Sequence, residues 1–247
     1  MFLFAHISDL HLDGGERAAG LSRRVLDYLN GLARPVDAIL VSGDIADHGQ
    51  VSEYEEAAKI LTSPTPILHC PGNHDRRPAY RAVLLGDYSG ENGPINQFHR
   101  VVDGPAFLLC DSTIPGESGG LLVPETLDWI VSTLARLPDD VPAFVVFHHP
   151  PVAVHHPYLD AIKLAGEEHL AALLAGYPQV VAVLTGHAHT AAASTFAGRP
   201  LLVAPGVVST LLLPWESDRV VSHDLPPGLA FHVLTEGRLT THYRVVP

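Results

Sequence analysis

Five short motifs along the chain carry side chains that can ligate metal: Asp9-Leu10-His11, Gly43-Asp44, Gly72-Asn73-His74-Asp75, His148-His149-Pro150 and Gly186-His187-Ala188-His189. Each closes an apolar run. Together they supply at least seven oxygen and imidazole ligands, more than one ion normally takes from protein, and that number suggests a two-metal hydrolase. Carboxylate, imidazole and amide oxygen suit borderline ions such as manganese, iron or zinc better than calcium, and no thiolate cluster suggests a structural zinc site. Any one motif alone is an ordinary loop or turn. Five in order, each after an apolar run, form a constellation.

A sheet must deliver these side chains to one edge. Phe2 to Ser8, Ala38 to Ser42 and Pro66 to Cys70 read as short strands, separated by helical stretches over Glu16 to Leu32 and Val51 to Leu61, a βαβαβ pattern. In the first helix Leu21, Val25, Leu29 and Leu32 make one apolar stripe that packs on the sheet. Asp75 to Leu85 reads as a further short helix and Gly86 to Asn96 as a loop. Phe98 to Val102 and Ala106 to Cys110 pair around Asp103-Gly104, and Pro124 to Leu137 is a helix opened by proline. Pro142 to Phe147 and Val180 to Leu184 are buried-strand runs on either side of a helix over Gly166 to Leu174. Ala191 to Phe196, Leu201 to Ala204, Ala230 to Leu234 and Leu239 to Val245 read as shorter strands in an antiparallel tail.

No repeat, low-complexity tract or linker divides the chain, so residues 1–247 are expected to form one α/β domain of two packed sheets flanked by helices. In open α/β sheets ligands gather outside the carboxyl ends of the strands, where these motifs fall. Alternate side chains of an extended segment share a face, so Asp9 is expected to project with His11 and His187 with His189, while His148 and His149 point apart. Pro205 to Gly228 reads as a packed loop; its length suggests that it edges the substrate pocket or forms a dimer contact. His155 and His156 are expected at the surface.

Composition narrows the function classes. Apolar residues make up 47% and charged residues 17% of the chain, a globular composition with a substantial core. The first residues lack a positive n-region and are too short an apolar stretch for a signal peptide or membrane span, so no membrane association is expected. Cys70 and Cys110 each end a strand and are expected as buried, reduced thiols, consistent with a cytoplasmic chain. The net charge of -12 repels long nucleic acid and anionic membranes. Two divalent ions would invert that sign locally and draw in a small phosphate anion.

With these residues in view, the chain resembles the calcineurin-like metallophosphoesterases, whose pattern Asp-x-His, Gly-Asp, Gly-Asn-His-Asp/Glu, His, Gly-His-x-His is complete from Asp9 to His189. The resemblance implies a four-layer αββα sandwich with a dinuclear centre. Motif by motif, Asp9, His11 and His189 would hold one metal and Asn73, His148 and His187 the other, with Asp44 between them; His149 would be a packing residue. Two divalent or mixed-valence ions are implied, manganese and iron foremost and zinc also admitted. A hydroxide bridging such a pair would attack the phosphorus in line, and His74 would give the leaving oxygen its proton. Asp75 would orient or polarise His74, or cap the following helix.

Within that superfamily the chain looks most like the bacterial class III cyclic-nucleotide phosphodiesterases. The residues that carry this are Ile7-Ser8-Asp9-Leu10-His11-Leu12, Gly43-Asp44-Ile45-Ala46-Asp47-His48-Gly49, His148-His149-Pro150-Pro151, and the stretch from Leu109-Cys110-Asp111-Ser112 through Gly119-Gly120-Leu121 to Leu127-Asp128-Trp129. Protein phosphatases carry arginine where this chain has His48 and glycine where it has Leu12, and the DNA-repair nucleases usually add a nucleic-acid-binding region. The implied activity is hydrolysis of small phosphodiesters, with 3',5'-cyclic AMP as the leading substrate. 2',3'-Cyclic nucleotides or glycerophosphodiesters are the alternative, and a metal-binding scaffold without catalysis is a third reading that the complete ligand set and His74 oppose. Relatives of this type are often dimeric, so a homodimer is expected on the resemblance alone.

Overall fold

The computed structural model describes residues 1–247. Strand β1 (Phe2–Ile7), helix α1 (Glu16–Asn30), strand β2 (Ala38–Val41), helix α2 (Val51–Ile60) and strand β3 (Ile67–His69) form the anticipated βαβαβ pattern. Alternation along β1 divides its side chains: Ala5 and Ile7 pack with Val25, Leu26 and Leu29 of α1, while Phe2 and Phe4 face the other way. Gln50 and Glu53 close a reciprocal capping box at the start of α2, and the buried Glu53 carboxylate also accepts from the His48 backbone N–H. The short helix α3 (Arg77–Tyr80) runs into one π-helical turn over Arg81–Leu85, which ends at Gly86.

Next come β4 (Gln97–Arg100) and β5 (Ala106–Leu109), antiparallel as anticipated, then β6 (Gly120–Leu121), α4 (Pro124–Leu134), β7 (Ala143–Val146), α5 (Pro157–Asp160), β8 (Leu164–Ala165) and α6 (Glu167–Leu174). The chain continues through β9 (Val180–Thr185), β10 (Ala192–Phe196), β11 (Arg199–Val203), β12 (Thr210–Leu211), β13 (Val221–Ser222), β14 (Gly228–Thr235) and β15 (Arg238–Val245).

Two large sheets result, ordered β15-β14-β1-β2-β3 and β10-β11-β9-β7-β5-β4. Strands β1, β2 and β3 of the first sheet and β11, β9, β7 and β5 of the second run parallel; β14 and β15 extend the first antiparallel beside β1, and β10 and β4 close both edges of the second antiparallel. Phe4, Leu40, Phe107, Phe144 and Leu184 fill the space between the sheets, with Phe4 edge-on to Phe107 at 5.2 Å. Helices α1 and α2 cover the outer face of the first sheet, and α4 and α6 cover the second through Ile130, Leu134, Leu170 and Leu174. This is the αββα sandwich.

Three features depart from the sequence reading. The tail strands pair antiparallel as expected, β10 with β11 and β14 with β15, but they do not form one unit: the first pair joins the second sheet and the other joins the first beside β1. Residues 205–228 contain the β12–β13 hairpin. His156 is buried, because it enters the short helix α5 whose Leu159 packs inward; four residues are too few to leave a helical period in sequence. His155 is exposed as expected. Both cysteines are buried free thiols.

Candidate metal centre

Every motif lies just past a strand: Asp9 and His11 after β1, Asp44 after β2, Asn73 and His74 after β3, His148 after β7, and His187 and His189 after β9. The backbone there is not extended. Asp9, His11, Asp44, His187 and His189 have φ of 59°, 40°, 50°, 65° and 48°, in the left-handed region that residues with a Cβ rarely enter. The expectation that Asp9 and His11, or His187 and His189, share a face through strand alternation is therefore corrected. β1 has ended at Ile7 and β9 at Thr185, and left-handed turns bring the side chains together. Interloop hydrogen bonds hold this conformation, from Asp9 N–H to the Gly43 carbonyl (3.1 Å) and from His11 N–H to the Asp44 carbonyl (2.9 Å). A Cβ on Gly43, whose φ is 101°, would overlap the His148 ring, so glycine is required there.

The side chains converge. Ligand atoms of Asp9, His11 and His189 lie within 4.8 Å of one another, as do those of His11, Asp44 and His74, and those of Asp44, His148 and His187. Asp44 belongs to two of these groups, with Oδ2 3.5 Å from His11 Nε2 and 3.2 Å from His148 Nε2. Asn73 lines the same cavity. Three of the four rings are aimed by their other nitrogen: His11 Nδ1 donates to Asp47 Oδ1 (2.9 Å), His148 Nδ1 donates to the Ser42 carbonyl (2.7 Å), and His189 Nδ1 pairs with Ser209 Oγ (2.7 Å).

This arrangement fits a divalent cation. His11 Nε2 faces His189 Nε2 at 3.1 Å, and His148 Nε2 faces the Asp44 carboxylate, so lone pairs are set against one another unless a proton or cation lies between them. Without metal, protons do so: burial opposes charge on His148, but Asp44 overrides it and raises the ring to about 9. Burial likewise opposes ionisation of Asp44, yet His148 holds its carboxyl well below the ordinary value. Asp9 Oδ2 and Asn73 Oδ1 are buried acceptors with no hydrogen-bond partner. The donors are oxygen and imidazole, the set that suits borderline divalent metals.

The centre opens into a cavity of about 170 Å³ that also receives His74, Ser118 and Tyr158. A larger hollow of about 710 Å³ lies at the opposite strand ends among Met1, Arg100 and Glu236 and contains none of the motif residues.

Residues 2–191 match the family of calcineurin-like phosphoesterases. The chain belongs to that family. A 3',5'-cyclic-nucleotide phosphodiesterase of Nostoc sp. is 34% identical over 194 residues, covering 75% of this chain and 70% of the relative. The glycerophosphodiester phosphodiesterase GpdQ of Enterobacter lignolyticus is 30% identical over 241 residues, covering 93% of this chain and 86% of the relative. A dimetal phosphatase from Danio rerio has the same fold, with a TM-score of 0.74 over 100% of this chain and 96% of that one at 17% identity. This calcineurin-like phosphoesterase is accordingly a phosphoester hydrolase, and its family and its ligand cluster indicate divalent metal cofactors.

The last two residues of the Gly-Asn-His-Asp motif, His74 and Asp75, have different surroundings. His74 lines the cavity, and its Nδ1 donates to the Asp47 carbonyl at 2.7 Å. The Asp75 carboxylate makes no hydrogen bond to His74 and does not cap α3, the two roles expected of it. Its carboxylate accepts from the backbone N–H groups of Gly72, Ile45 and Ala46 and from the Tyr54 hydroxyl, because it lies buried where the loops after β2 and β3 meet. His149 packs its ring 4.6 Å from His187, with Nδ1 paired to Ser112 Oγ at 2.8 Å. The residues that sequence reasoning did not single out are Asp47, Ser42 and Ser209, which aim the rings. For Asp47 the signal was present in its spacing from Asp44; Ser42 acts through a carbonyl, which no side-chain pattern reveals.

Proposed function

We propose that this phosphoesterase hydrolyses small phosphodiesters, with 3',5'-cyclic AMP as the leading substrate. The observation that carries this reading is the cavity: it is small and contains no lysine or arginine. Dianionic phosphomonoesters are commonly clamped by a guanidinium, whereas a diester brings a single negative charge. His48, which stands where the protein phosphatases carry arginine, is absent from the lining and is held through Nδ1 by Glu53 at 2.7 Å.

In this reading Asp9, His11 and His189 hold one metal, Asn73, His148 and His187 the second, and Asp44 both. Manganese and iron are the proposed pair, with zinc compatible with the same donors. When bound, such a pair supplies positive charge to phosphoryl oxygens and makes water more acidic. The chain's own contribution to proton transfer is His74. With Nδ1–H engaged by the Asp47 carbonyl, Nε2 is the atom left to carry a proton to the departing oxygen. Asp75 acts on this site only through the backbone it holds.

Glycerophosphodiesters are the second reading, favoured by the similarity to GpdQ over 93% of the chain. Manganese-reconstituted protein assayed on 3',5'-cyclic and 2',3'-cyclic nucleotides, glycerophosphodiesters, bis(p-nitrophenyl) phosphate and p-nitrophenyl phosphate separates these. The highest kcat/KM is expected on 3',5'-cyclic AMP; cleavage of phosphomonoesters alone would overturn the phosphodiesterase reading.

A further inference from the structure

The cavity that contains His74 and Asn73 has a second set of walls, built by elements that carry none of the ligand motifs. Tyr158, Leu159 and Ile162 come from α5 and the residue pair beyond it, and Leu211 and Val221 come from the β12–β13 hairpin. These two elements are packed together rather than merely adjacent. Leu159 and Leu211 are buried in one cluster with Ala188 and Val203, and Ile162 and Val221 pack against it. The wall is therefore a continuous apolar surface. Ala188, between His187 and His189, ties it to the metal centre.

Tyr158 is the exception to this burial. The residue is 57% exposed and borders the cavity beside Leu159 and Ile162, so an aromatic side chain stays accessible next to His74 and the ligand cluster. Polyols and ethanolamine gain little from such a surface, whereas a planar heterocycle gains both apolar burial and ring stacking. The wall carries no charge and no side-chain amide that would read the edge of a base.

On the reading that the substrate is a cyclic nucleotide, we infer that Tyr158 is the stacking surface for its base, with Leu211, Val221 and Ile162 completing the contact. The residue sets substrate preference and takes no part in bond cleavage. It selects phosphodiesters that carry an aromatic heterocycle over those that carry only a sugar or a polyol.

The test compares two substrates that break the same bond in the same ring: 3',5'-cyclic AMP and the 3',5'-cyclic phosphate of methyl riboside, which lacks the base. The ratio of their kcat/KM values is measured with manganese-loaded wild type, Tyr158→Phe and Tyr158→Leu. Wild type is expected to prefer cyclic AMP, Tyr158→Phe to keep that preference, and Tyr158→Leu to reduce the ratio about tenfold, mainly through KM. An unchanged ratio in Tyr158→Leu, or an equal loss in Tyr158→Phe, overturns the stacking assignment and leaves the cyclic-nucleotide reading standing. Failure of wild type to cleave either cyclic substrate, with glycerophosphodiesters turned over, overturns the cyclic-nucleotide reading and this assignment with it.

Discussion

The side chain of His74 is anchored at one nitrogen by the Asp47 carbonyl, and the Asp47 carboxylate in turn anchors His11. Two substitutions separate these roles. His74→Ala is expected to lower kcat about 10²–10⁴-fold, the range for a lost general acid, with the larger loss on esters of poor leaving groups. Metal content measured by elemental analysis should stay at two ions per chain, since the proposed ligands are untouched. Asp47→Ala removes the carboxylate that orients the His11 ring, and an about 10–100-fold drop in metal affinity or activity is expected, measured by metal titration. The Gly-Asn-His-Asp string marks His74 plainly in sequence. It does not reveal that Asp75 turns away into backbone N–H groups, because direction at a tight loop depends on what the neighbouring loop leaves unpaired.

Elements deliver these residues, and the joints between elements are where stability concentrates. Arg77 of α3 donates from Nε to the buried Asp111 at the end of β5 (2.8 Å) and from an Nη to the Thr113 carbonyl (2.9 Å). Asp111 also accepts from the Ile95 and Thr113 backbone N–H groups. Arg77→Met leaves that carboxylate buried without its cation and is expected to destabilise the chain by about 3–5 kcal/mol, read from urea denaturation. The α1 stripe and the βαβαβ order were legible because periodicities of 3.6 and 2 persist over many residues. α5 and the β12–β13 hairpin were not: four and two residues respectively carry no period, and they are held by the apolar cluster around Leu159 and Leu211.

At the scale of the whole molecule, the apolar cluster between the sheets is bordered by a hydrogen-bonded pair of buried imidazoles, with the His232 ring 4.8 Å from that of Phe4. His232 pairs with Thr241 Oγ1 (2.8 Å) and with His6 (3.2 Å), and His6 reaches Ser42 Oγ (2.8 Å). Burial depresses His232 to about 3 and takes His6 well below its ordinary value. Above the unfolded value of about 6.5 the ring is neutral in both states; below it only the unfolded chain binds the proton, so stability falls as pH drops towards about 3. Wild type is therefore expected to lose on the order of 2 kcal/mol more than His232→Phe between pH 7 and pH 5, measured by urea denaturation at each pH. Sequence by itself determined the family, the order of the longer strands and helices and the identity of the metal-centre candidates, because ligand types and hydrophobic periods are local and survive in one dimension. Only the tertiary structure decided how the candidates meet: left-handed turns at Asp9, His11, Asp44, His187 and His189 impose strain of about 1–2 kcal/mol each, and such turns persist only where packed loops hold them. It also decided that the tail strands divide between the two sheets and that Tyr158 borders the cavity, since both follow from which surfaces remain to be covered once the other elements have packed.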